Sequence, residues 1–222
     1  MNPHPHHLGA SSEGAVPQSP IPQQPPSWGP PTRGVFVNVL GTIVAPLENG
    51  NFPEIGDAVF YEGVLDGLFK VTQSGWNLYL MGNIDSVAFG RQGVEEWRSF
   101  SKGLHDHLRG HGIKLKRDYC CIDHPEGVKG QNNDSVYLLP GTGAMHHAAQ
   151  ADGVNLSVSW VIGDSTVELV AGWRADCRLV AVQTGQGLRD GAFQVEPELW
   201  SRTAAGALKE ISNDLTMLRR VA

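Results

Sequence analysis

The feature that most constrains this chain is a repeated alternation. A short apolar run is followed by a turn and then by a segment with helical spacing. Residues 35–39 open the series as Val-Phe-Val-Asn-Val, a run rich in β-branched side chains, the pattern of a strand covered on both faces. Residues 77–81, 118–122, 159–162 and 178–182 repeat the strand signal. Residues 58–74, 94–109, 143–151, 166–173 and 199–218 carry the helical signal. Glu95 and Glu96 begin one of these segments, where the helix dipole favours acids. Such a chain is expected to be α/β: a doubly wound, mainly parallel five-stranded sheet with helices on both faces and residues 35–39 at its centre. Ligands in such sheets bind beyond the carboxyl ends of the strands. Asn38, Gly82, Asn83, Asp123, His124 and Asp164 all fall at those ends.

Residues 1–33 are different in kind. Nine of the fourteen prolines lie there, and the only formal charges are Glu13 and Arg33. Too little apolar surface is available to offset the entropy of ordering, so a disordered or polyproline tail is expected ahead of an α/β domain at 34–222. Residues 20–31 around Trp28 read either as a linker or as a docking peptide for a protein partner. No basic residue flanks a Pro-x-x-Pro there, which favours the linker. His4, His6 and His7 read as tail composition. With 23 acidic and 17 basic residues, the chain lacks the basic footprint of a nucleic-acid binder. Its apolar runs are too short to cross a membrane, and no secretory leader is visible, so no membrane association is expected. Three cysteines, Cys120, Cys121 and Cys177, suit a reducing compartment, and a soluble cytoplasmic protein is expected.

The chemistry-bearing stretches are four. Val35-Phe36-Val37-Asn38-Val39-Leu40-Gly41-Thr42 is a strand running into a Gly-Thr turn. Residues 52–63 read Phe-Pro-Glu-Ile-Gly-Asp-Ala-Val-Phe-Tyr-Glu-Gly, and 159–172 hold Gly163-Asp164-Ser165-Thr166-Val167-Glu168. Residues 182–187 read Val-Gln-Thr-Gly-Gln-Gly. In this order and spacing, over roughly 34–187, the chain resembles the haloacid dehalogenase (HAD) superfamily. The resemblance is to the branch that holds D,D-heptose 1,7-bisphosphate and histidinol-phosphate phosphatases. It implies a phosphatase plan. The first Asp of Asp-x-Asp-Gly-Thr attacks phosphorus, and the second passes protons. A Thr or Ser after the second strand and a Lys after the third hold phosphoryl oxygens, and acids after the fourth hold Mg²⁺.

Carried over position by position, the plan has gaps. Asn38 stands at the nucleophile, Leu40 at the acid/base, Gly82 at the hydroxyl, and Leu139-Pro140-Gly141-Thr142-Gly143 over the lysine stretch. Asp164 remains, with Glu168 as a second acid. With the Asn38 amide and the Leu40 carbonyl they imply a weak Mg²⁺ site. The branch's zinc loop has no counterpart: Cys121-Ile122-Asp123-His124 keeps one Cys and residues 127–137 hold none, so zinc is not expected. His105, His107 and His111 read as a solvated helix face, one of the adjacent His146 and His147 reads as exposed, and Trp76, Trp97, Trp160, Trp173 and Trp200 read as packing residues. Loss of a covalent nucleophile is worth on the order of 10⁶ in rate. The expectation is therefore a non-catalytic homologue, a pseudoenzyme. It would bind a protein partner, through the tail or the cleft, or a phosphorylated sugar beside Asn38, Asn83, Asp123 and His124. The alternative is a metal-dependent sugar-phosphate phosphatase with a non-standard site drawn from Asp164, Glu168, Asp85, Asp123 and His124, in which a water attacks.

Overall fold

The computed structural model describes residues 31–213. The expectations for the tail, including the docking reading around Trp28, fall on residues 1–30, outside the described residues.

Six strands form one sheet: β1 (Arg33–Asn38), β2 (Trp76–Met81), β3 (Leu115–Asp118), β4 (Trp160–Gly163), β5 (Arg178–Val182) and β6 (Leu199–Ser201). Their order is β3-β2-β1-β4-β5-β6 and every pairing is parallel. The continuous apolar run of β1 is explained by its interior place, with Val37 registered against Leu80 on one side and Ile162 on the other. Successive residues alternate between two cores. Val35 and Val37 face a layer that includes Leu68, Leu104 and Leu208, from α1 (Val64–Gln73), α3 (Val94–Gly110) and α6 (Ala204–Asn213). Phe36 faces the opposite layer with Met145, Ala148 and Leu169, from α4 (Gly143–Asp152) and α5 (Thr166–Arg174).

The sheet has six strands where five were expected. Residues 199–201, expected to open the last helix, pair instead with Val180–Val182 as an edge strand. The helix begins at Ala204 because Thr203 caps it, its Oγ1 accepting from Gly206 N at 3.4 Å. Residues 58–63 are also not helical. Phe60 bridges Val44, and Gly63, at φ 72°, marks the start of α1. β3 lies earlier than 118–122, and a single helical turn, α2 (Asp85–Ala88), follows β2. Trp76, Trp97 and Trp160 are buried as expected of packing residues, whereas Trp173 and Trp200 are 68% and 53% exposed. No helix among the described residues is long and apolar enough to cross a membrane.

Leu208 is fully buried, facing both α1 and the sheet core. Leu208→Ala is expected to destabilise the fold by about 2–5 kcal/mol, while Trp173→Ala stays within about 0.5 kcal/mol of wild type. Urea unfolding midpoints of the two variants check both values.

Candidate functional site

Because all six strands run the same way, their carboxyl ends share one edge, and a cleft of about 840 Å³ opens there. Its floor includes Asn38, Leu40, Asp164 and Glu168. Asp85 and Arg91 line it from the segment after β2, and Arg189 and Asp190 from the segment after β5.

Asp164 follows β4 directly and is 3% exposed. Its Oδ1 accepts from Asn38 Nδ2 at 2.8 Å and from Thr42 Oγ1 at 3.1 Å, and its Oδ2 accepts from Gln186 N at 2.9 Å. Two glycines make room for the carboxylate: a Cβ on Gly41 (φ 87°) or on Gly185 (φ 56°) would stand 2.1 Å from Oδ2. Burial raises the carboxyl's pKa against the pull of these donors.

Glu168 closes a capping box at the start of α5. Its Oε2 accepts from Ser165 N at 2.9 Å and from Ser165 Oγ, which in turn accepts from Val167 N at 3.3 Å. Burial, and then the neighbouring Asp164 charge, push its pKa up to about 8. Asp190 serves the same helix end, accepting from Thr166 N at 3.0 Å and from Thr166 Oγ1.

Asn38 donates from Nδ2 to the Leu40 carbonyl, also at 2.8 Å. Gly82 lies against it, leaving 2.4 Å between a would-be Cβ and Asn38 Oδ1, so no hydroxyl-bearing side chain fits there. Asn83 lines the cleft while clamping the backbone of Leu139: Nδ2 donates to its carbonyl and Oδ1 accepts from its N–H, both at 2.9 Å. Leu139 itself is buried in the second core, and Gly141 lies outside the cleft lining.

No family model matches the chain. It is 26% identical over 162 residues to the D-glycero-β-D-manno-heptose-1,7-bisphosphate 7-phosphatase of Photorhabdus laumondii, a match covering 72% of this chain and 85% of that one. The D-glycero-D-manno-heptose-1,7-bisphosphate 7-phosphatase of Thermosynechococcus vestitus is 26% identical over 177 residues, covering 76% and 90%. The structure superposes on D,D-heptose 1,7-bisphosphate phosphatase from B. bronchiseptica, complexed with magnesium and phosphate. The TM-score is 0.70 at 20% identity, over 82% of this chain and 99% of that one. The fold is HAD-like.

The expectation of a non-catalytic homologue is corrected by these relatives. They are named as phosphatases, and they match across most of the HAD-like domain. Asn38 and Leu40 line the cleft together with two buried acids, Asp164 and Glu168.

Asp123 and His124, expected in the cleft, sit outside its lining. The chain folds back on itself after residue 121. Asp123 Oδ1 accepts from Asn133 Nδ2 at 3.0 Å, His124 N donates to Gln131 O at 2.9 Å, and the His124 ring packs on Phe89 at 5.0 Å. The Cys121 thiol donates within the same loop, to Asp123 O. Among the described residues no group of three or more His, Cys, Asp or Glu side chains is placed to hold a metal. Any cation in the cleft would need carbonyl and amide oxygens beside Asp164 and Glu168. Sequence reasoning missed Arg91, Arg189, Tyr61 and Asp190 as cleft residues. Arg91 follows Gly90 in the turn after α2 and Arg189 follows Gly187 in the turn after β5, a glycine signal that could have found them.

The raised pKa of Glu168 has a definite sign. Between about 4.5 and about 8 the folded chain holds a proton that the unfolded chain has released, so stability falls as pH rises through that window. Chelator-treated wild type is expected to lose more stability between about pH 5 and 8 than Glu168→Gln does, measured by denaturant midpoints across that range.

Proposed function

We propose that this HAD-like chain is a metal-dependent phosphatase of phosphorylated sugars, a phosphoric monoester hydrolase in which water replaces the side-chain nucleophile. One observation carries the reading: a buried carboxylate, Asp164, lies on the floor of a cleft whose opposite walls each bring an arginine, Arg91 and Arg189. Sugar bisphosphates are the substrates in the names of the curated relatives, and they are the first candidates here.

The donor set fits Mg²⁺. Asp164 and the Leu40 carbonyl are hard oxygen donors lining the same cleft, and Glu168 joins them when a bound ion displaces its proton. Bound there, the ion would polarise a phosphoryl oxygen and favour attack by water.

The remaining tasks fall to the chain's own side chains. Arg91 has no hydrogen-bond or ion-pair partner among the described residues, which leaves its planar fork for phosphoryl oxygens in the place of the missing lysine. Its backbone is held firm by Gln92, whose side chain grips the Phe52 backbone through both atoms of the amide, at 3.0 and 2.9 Å. Arg189 stands on the other wall with its guanidinium on Gly185 O at 2.8 Å. The carboxylate of Asp85 is exposed and likewise without a side-chain partner among the described residues, so it takes the proton from the attacking water. Tyr61 keeps its phenolic proton, since burial raises its pKa, and its O–H is the cleft's hydrogen-bond donor for the leaving oxygen.

Purified protein with Mg²⁺ is expected to release phosphate from a heptose bisphosphate within a panel of sugar phosphates. Asp85→Asn and Asp164→Asn should each lower kcat on the order of 10²–10⁴. Arg91→Ala and Arg189→Ala should act mainly by raising KM. No phosphorylated protein should be trapped by acid quench, because Asn38 forms no acyl phosphate. Absence of turnover across the panel, or full activity in Asp164→Asn, would overturn the proposal.

A further inference from the structure

Asn38 ends the central strand with a side chain that is 7% exposed. Both N–H bonds of its amide have acceptors, the Leu40 carbonyl and Asp164 Oδ1, each 2.8 Å from Nδ2. Its Oδ1 points the other way, toward Gly82. The orientation is fixed by these acceptors, since the reversed amide would set oxygen against two oxygens. The amide nitrogen thus lies between a carbonyl and a carboxylate, the two oxygens that the proposed function gives to a cation.

We propose that the Asn38 amide is a built-in stand-in for that cation. In the metal-free chain its NH₂ bridges Leu40 O and Asp164. With metal bound, a half-turn of the amide presents Oδ1 in the same place as a ligand. The inference rests on the proposed metal site. The two ends of a primary amide are nearly the same size, and its terminal torsion is broad and roughly two-fold, so the turn needs no repacking. The bond to Asp164 is charge-assisted and offsets part of the burden of burying that carboxylate. An aspartate at position 38 would set a second carboxylate against Asp164 and make the floor depend on a cation or a shared proton. Asparagine removes that dependence. Thr42 donates to the same Oδ1 of Asp164, at 3.1 Å.

The test follows the side-chain amide protons of Asn38 by ¹⁵N–¹H NMR, assigned by their loss in Asn38→Leu, while Mg²⁺ alone is added to chelator-treated protein. Without metal, both protons should be protected from exchange. At saturation, protection should fall at least about tenfold, since both acceptors are lost. Asn38→Asp should lower the metal-free Tm and bind Mg²⁺ about tenfold tighter, with a larger Tm gain on adding the ion. Asn38→Leu should lower the metal-free Tm and bind more weakly than wild type. An amide that stays protected while Mg²⁺ binds, or an Asn38→Asp variant as stable as wild type in chelator, would overturn the inference. A chain that hydrolyses no phosphate ester yet shows the amide response keeps this inference and sinks the phosphatase reading. Turnover with an unmoved amide does the reverse.

Discussion

The carboxylate of Asp164 is where the end of β1 with its following turn, the end of β4 and the segment after β5 meet. Asn38 and Thr42 reach it from the first, Gln186 N reaches it from the third, and the Leu188 N–H holds its main-chain carbonyl at 2.8 Å. A buried carboxylate is tolerable only when its lone pairs are matched. That requirement orders the three segments around one another, so the shape of the cleft floor follows from satisfying a single charge. The two glycines that crowd it are part of the same solution, since any side chain at either place would collide with the charge it is meant to surround.

Much of this was legible in the residues. The central strands could be read because burial on both faces demands unbroken apolar runs, and Asp164 could be placed because strand ends mark the ligand edge. The errors have physical causes. Leu199-Trp200-Ser201 has an apolar content that suits a helix or a strand, and only its parallel partner, Val180–Val182, decides. Residues 58–63 carry helical spacing but end in a glycine at positive φ. Asp123 and His124 follow a strand, yet the chain after them closes on Gln131 and Asn133, a tertiary choice with no local signature. The five-strand expectation erred only at the edge, where pairing rather than pattern makes a strand.

Weighed one by one against the roles they replace, Asn38 and Leu40 read as losses. In place, both N–H bonds of the Asn38 amide are matched, one of them by the Leu40 carbonyl. The side chains that hold phosphate in the resembling branch are missing at their usual positions, while arginines arrive from different loops. A cleft is defined by which groups reach it, and sequence position records that only indirectly.

The two margins of the sheet carry a consequence for behaviour at high concentration. A long, flat, apolar margin would recruit strands from other copies. Here β6 is three residues long, and β3 is four residues with Lys116 and Arg117 at its middle. Asp152 locks Arg117 with two bonds at 2.9 Å and lies 3.5 Å from Lys116. Brevity on one side and anchored charge on the other leave little template for intermolecular strand addition, so the central apolar strands stay sealed between blunt ends.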